Sequence, residues 1–148
     1  MGGATESEST DIKRYKSFLI LTNNPMVAET LGDQFPIEFL ADASDRDVLL
    51  RARDRVHLGH RVLTAPLSGS VKPWETPYRS IMMTFEREDG VDYFSLVNME
   101  RALSIIKDAK ASQQAASSAI DRDFQIIDLS LIESALPSLR ASGLAQGQ

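Results

Sequence analysis

The chain has 148 residues, 43% of them apolar and 25% charged, with a net charge of −5 and no cysteine. This is the composition of a water-soluble globular protein, at a length that makes one domain and buries about two thirds of the unfolded surface. The acidic balance argues against nucleic-acid binding, which leaves a basic footprint. The missing thiols exclude disulfides, thiolate nucleophiles, zinc–cysteine clusters and iron–sulfur ligation.

Residues 1–11 are small and polar, with no apolar signal core, and are expected to form a disordered leader on a cytoplasmic protein. Residues 17–22, SFLILT, form a continuous apolar run of strand length, as in a strand covered on both faces. Asn24 before Pro25 is a helix start, because Asn caps and Pro tolerates the first helical position. Met26, Val27, Thr30 and Leu31 follow at helical spacing, and Gly32 ends the run. Residues 36–40 read as a second strand.

The clearest helix covers residues 44–58. Ser44 and Asp47 have capping-box spacing, Val48, Leu49, Ala52 and Val56 share one face, and Gly59 supplies a left-handed stop. Residues 61–64 predict a short third strand and 81–85 a fourth. Leu96, Met99, Leu103 and Ile106 make a helical stripe. Residues 109–119 are rich in Ala, Ser and Gln and carry no clear pattern. A final strand is expected over 124–129, then a short helix from Ser130 to Leu136, just before Pro137. Residues 141–148 read as a flexible tail, leaving one domain over 12–140. No apolar run approaches the roughly 18 residues of a membrane span.

Alternation of strands and helices predicts an α/β fold: a mostly parallel sheet of four to five strands with helices on both faces. Ligands of such sheets bind beyond the carboxyl ends of the strands. That rule brings together the turn after the first strand and the loop after the third.

The loop is the most distinctive stretch. Residues 57–80 hold both histidines, three of the six prolines and the only tryptophan. Residues 65–78 have neither helix nor strand periodicity, and uncommitted loops of this length in compact domains are mostly functional or disordered. Thr22, Asn23 and Asn24 offer amides and backbone N–H groups at a helix start, suited to an anion. Ser68, Gly69, Ser70 and Lys72 add hydroxyls, close backbone approach and a cation. Neither a Walker A loop nor a GxGxxG fingerprint is present. The alternative for both segments is local turn and cap chemistry.

His60, then His57, are the candidates for acid/base work. As a metal pair they lack a sure third ligand, with Asp54 or Glu75 the nearest carboxylates, so no metal site is assigned. Structural hydrogen bonding, and for His57 the helix dipole, is the competing role. The charges Asp45, Arg46, Asp47, Arg51, Arg53, Asp54 and Arg55 read as a solvated helix face. Trp74 and Tyr78 are aromatics suited to a ligand or to a second subunit.

ILTNNPMVAE at 20–29, VHLGHRVLTAPLSGSVKPWETPYRS at 56–80 and DFQIIDLSLI at 123–132 together resemble the GrdX family. These are small proteins encoded beside the glycine, sarcosine and betaine reductases of anaerobic bacteria, and the likeness runs from about Lys16 to Leu136. The resemblance implies an accessory role in that system and carries over no catalytic residue and no cofactor. Three readings stay open. The first is a non-catalytic accessory protein binding a small anionic ligand or a reductase-system partner at the strand ends. The second is a small enzyme acting on an anionic amino-acid-like substrate with a histidine acid/base. The third is a structural homodimer subunit.

Overall fold

The structure, a computed structural model, describes residues 18–64, 76–106 and 118–141. The expected leader and tail, the loop centre at 65–75 and most of the Ala/Ser/Gln stretch lie outside the described residues. The elements in chain order are β1 (Phe18–Thr22), α1 (Pro25–Leu31), β2 (Ile37–Phe39), α2 (Asp45–His57), β3 (Ser80–Thr84), α3 (Tyr93–Ile105) and α4 (Ser118–Ala141).

The sheet has three strands in the order β2-β1-β3. β1 runs parallel to β2, with Ile20 opposite Ile37 and Thr22 opposite Phe39. It runs antiparallel to β3, with Phe18 opposite Thr84 and Thr22 opposite Ser80. The α/β class and the helices on both faces are as expected, but the sheet is smaller and mixed rather than mostly parallel with four to five strands.

The expected third strand accounts for part of the difference. Residues 61–64 run antiparallel along the outer edge of β3, yet make only one bridge, Val62 to Met83. Side-chain hydroxyls take the places that ladder carbonyls would fill. Two backbone bonds, Leu63 N–H to Met82 O and Thr84 N–H to Arg61 O, flank the bridge, and beyond them the N–H groups of Arg61 and Met82 donate to Thr84 Oγ1 and Thr64 Oγ1. Those bonds cover the edge of β3 without extending the sheet.

The expected strand at 124–129 is helical and belongs to α4. Asp121, Gln125, Asp128, Ile132, Leu136 and Leu139 recur at helical spacing on the side turned toward the protein. Half of that stripe is polar, so it hid the 3.6-residue period. The helix also runs through Pro137, which lies on the exposed side and forgoes one backbone bond.

Alternation along the strands feeds two cores. Phe18, Ile20 and Met82 pack against Val27 and Leu31 of α1 and Ile132, Leu136 and Leu139 of α4. Phe18 also stacks on Phe35, with ring centroids 4.9 Å apart. Leu19, Leu21, Ile81 and Met83 face Val48, Leu49 and Val56 of α2 and Met99 and Leu103 of α3. Every β1 residue is buried, as its unbroken apolar run requires. Truncating Ile20 to Ala would cost about 2–5 kcal/mol through lost transfer energy and the cavity left behind.

The start signals are realised in detail. Asn24 caps α1 through its side chain, with Pro25 at the first position. Ser44 and Asp47 form the reciprocal capping box of α2. Gly59 has φ +110°. Among the described residues, no helix is long and apolar enough to cross a membrane.

Candidate ligand-binding site at the strand ends

The mixed sheet still gathers its loops at one edge. Because β3 is antiparallel, the segment that enters it, residues 76–79, meets the turn that leaves β1. The turn after β2, residues 40–43, lies at the same edge. Between them opens a cleft of about 390 Å³, with Asn23, Phe39, Asp42, Pro77, Tyr78 and Asp121 in its wall.

Asn23 binds the two flanking segments to β1. Its Nδ2 donates to the carbonyls of Ala43 and Pro77, at 2.9 and 2.8 Å. Its Oδ1 accepts from the N–H of Arg79 at 2.9 Å. One amide thus satisfies three backbone groups, which is why Asn stands here: no other side chain of that length has two donors beside an acceptor.

Asn24 is fully buried and equally committed. Its Oδ1 accepts from Met26 N–H, and its Nδ2 donates to Gln125 O and to Asp128 Oδ2, both at 3.0 Å. The first turn of α1 spends its donors locally, since Val27 and Ala28 also bond to Asn24 O. The exposed N–H groups expected there are therefore occupied.

Thr22 takes part in a directed chain. Ser80 Oγ donates to Asp128 Oδ2 at 2.6 Å. A hydroxyl has one proton, so at the 2.6 Å contact between Thr22 Oγ1 and Ser80 Oγ it is Thr22 that donates. Thr22 Oγ1 in turn accepts from Asn24 N–H at 2.9 Å. Burial pushes the Asp128 carboxyl above its ordinary range, although Ser80, Asn24 and the Arg79 guanidinium hold it down in part.

Arg79, only 7% exposed, lies between Asp128 and Asp45. Its Nη2 is 3.7 Å from Asp45 Oδ2. Asp45, the first residue of α2, is fully buried, and neither of its carboxylate oxygens accepts a hydrogen bond. Burial raises its carboxyl above the usual range, against the pull of Arg79. The expected solvated face is thus interrupted: Asp45 is interior, and Arg46 caps α3 by donating to the carbonyls of Leu103 and Ile106. Arg51 and Arg55 both hold Glu38.

At the other wall, Tyr78 O–H donates to Asp121 Oδ1 at 2.6 Å, and Gln125 Nε2 donates to both Tyr78 Oη and Asp121 Oδ2. Burial and the neighbouring carboxylate push the Tyr78 phenol up to about 12. It stays protonated at neutral pH and acts as a donor and an aromatic surface.

The histidines stand elsewhere. His57 is exposed at the last turn of α2. His60 is buried beside Thr84, at the opposite end of β3 from Ser80. Its Nδ1 lies 2.8 Å from Thr84 O, and a carbonyl only accepts, so Nδ1 carries the proton. Nε2 then faces Arg55 Nη1 at 3.4 Å as an acceptor. Burial lowers the pKa of His60, further depressed by Arg55 and Arg87, in keeping with a neutral ring.

Of the residues singled out in the sequence, Thr22, Asn23 and Asn24 are together at this edge, with Asn23 in the cleft wall. Ser68, Gly69, Ser70, Lys72 and Trp74 lie outside the described residues. Sequence reasoning missed Asp42, Asp121, Asp128 and Arg79. A signal existed for Asp121 and Asp128, polar residues in phase with the apolar stripe of Ile132 and Leu136. Asp42 and Arg79 had none.

Fold and site define a small three-layer α/β protein with a polar, carboxylate-walled cleft at its strand ends. A family model described as GrdX-like protein matches residues 19–137, and the chain belongs to the GrdX family. No curated protein and no solved structure matches it significantly.

Proposed function

We propose that the protein is a non-catalytic accessory protein of the glycine, sarcosine and betaine reductase systems, acting in the cytoplasm and holding a small ligand in the strand-end cleft. Family membership supports the setting. The cleft itself supports the binding role, and the observation that carries the non-catalytic role is the commitment of the polar side chains at and near its wall. Asn23, Asn24, Thr22, Ser80 and Tyr78 spend their protons and lone pairs on one another, on backbone and on carboxylates. That arrangement makes a rigid wall rather than a nucleophile poised against a base. An anionic end of the ligand falls to Ser68, Gly69, Ser70 and Lys72 on this reading.

A thermal-shift screen of the full chain with glycine, sarcosine, betaine, acetyl phosphate and nucleotides tests the proposal. At least one should raise the melting temperature, with amide shifts mapping to Asn23, Phe39 and Tyr78. Consumption of a compound without added partners would refute the non-catalytic role. Hits mapping only to other surfaces would refute the site.

A further inference from the structure

We propose that the cleft selects a small organic cation, an ammonium carrying hydrogens or methyl groups, over an anion of the same size. The inference rests on the cleft being a ligand site and adds the charge of what it holds.

Its wall carries the carboxylates of Asp42 and Asp121 and the aromatic rings of Phe39 and Tyr78, while none of its described lining residues is cationic. The charge comes from these wall residues, because Asp45, with no exposed surface, and Asp128, with 7%, are buried and their carboxyls are raised toward the neutral form. The buried guanidinium of Arg79, 3.7 Å from Asp45, is set against that interior pair rather than against the wall. Carboxylates lining a cleft focus their field into the opening and raise the local concentration of the opposite sign.

The rings add selectivity for shape. Phe39 keeps 42% of its surface exposed on the edge strand, beside a cleft where an aromatic face can meet a desolvated ammonium. Tyr78, a neutral phenol whose O–H donates a hydrogen bond to Asp121, presents the same kind of face. Asp42 occupies φ +60°, third in the turn closed by Ala43 N–H to Leu40 O, where Gly or Asn is the comfortable residue. An aspartate there puts a carboxylate at the mouth of the cleft.

The test is a titration of the ¹⁵N-labelled full chain with methylammonium, choline, the neutral choline isostere 3,3-dimethylbutan-1-ol, and acetate. Methylammonium or choline should shift the amides of Asn23, Phe39, Asp42 and Tyr78. The neutral isostere should bind about tenfold more weakly than choline, and acetate should leave those amides in place. Asp42→Asn keeps a residue that tolerates this backbone and should weaken the cation at least about fivefold. Equal affinity for the cation and its isostere, or an affinity that survives both Asp42→Asn and Asp121→Asn, overturns the proposal. Acetate shifting the cleft amides in place of the cations overturns it while leaving the cleft a ligand site. Shifts from none of the four overturn it too, and the screen with amino acids then judges the cleft by itself.

Discussion

The two ends of the sheet are closed by different means. At the Thr22–Ser80 end, side chains do the fastening: Asn23 and Asn24 reach across to backbone 20 to 101 residues away. At the Phe18–Thr84 end the backbone itself is in contact. Gly59 and Glu88 exchange a hydrogen bond from Glu88 N–H to Gly59 O at 2.9 Å, and His60 fills the space beside Thr84. At the Thr22–Ser80 end the segments that Asn23 ties together wall the cleft. The candidate cleft therefore lies at the end rich in amides, hydroxyls and carboxylates, and His60 belongs to the other.

The largest expected effect breaks the backbone closure. A Cβ at residue 59 would stand 2.2 Å from Glu88 O, at a φ of +110° that side chains rarely adopt. Gly59→Ala should cost about 3 kcal/mol or more in denaturant unfolding, from clash and backbone strain together. Ligand response at the cleft should persist well below the lowered melting temperature. A cost under about 1 kcal/mol would mean that the two segments part easily.

Asn23→Ala breaks the side-chain closure. It frees two carbonyls and one N–H at a position only 6% exposed. The expected loss is about 2–3 kcal/mol, water partly replacing the amide at the cleft. Here, unlike at Gly59, the ligand response should vanish along with the stability. Retained binding would show that the cleft keeps its shape without the amide.

His60→Ala is smaller, about 1–2 kcal/mol for the unsatisfied Thr84 carbonyl. It should leave any ligand affinity at the cleft unchanged. An affinity lost at wild-type melting temperature would reverse the assignment and return His60 to the site.

The smallest effect is one of pH. Burial raises the carboxyls of Asp45 and Asp128, so the folded chain holds protons that the unfolded chain has released. What they contribute to stability is full below the ordinary Asp range and is lost as pH rises through their raised values. For Glu38 burial also raises the carboxyl, but the Arg55 and Arg51 guanidiniums outweigh it and the net shift is downward. Its contribution is present above the ordinary Glu range and is lost as pH falls through the lowered value. Asp45→Asn, which mimics the protonated group, should flatten the fall in melting temperature above the ordinary Asp range. Parallel melting-temperature curves for variant and wild type would show Arg79 fully compensating Asp45.

Local signals in the sequence decided where elements begin and which family the chain belongs to. Asn24-Pro25, the Ser44–Asp47 box and Gly59 act within a turn of their own positions, so their consequences are written in neighbouring residues. The apolar runs of β1 and β3 are equally plain, because both faces of those strands are covered. Strand direction, the identity of α4 and the contents of the cleft are different in kind. An apolar run reads the same in either direction, so only packing made β3 antiparallel. Asp121, Gln125 and Asp128 look like interruptions until Tyr78, Asn24 and Ser80, 43 to 104 residues away, supply their partners. Asp45 carries the same one-dimensional pattern as its charged neighbours, and only tertiary structure put it inside. Burial and long-range hydrogen bonds are properties of the assembled chain, and it is they that shape the cleft.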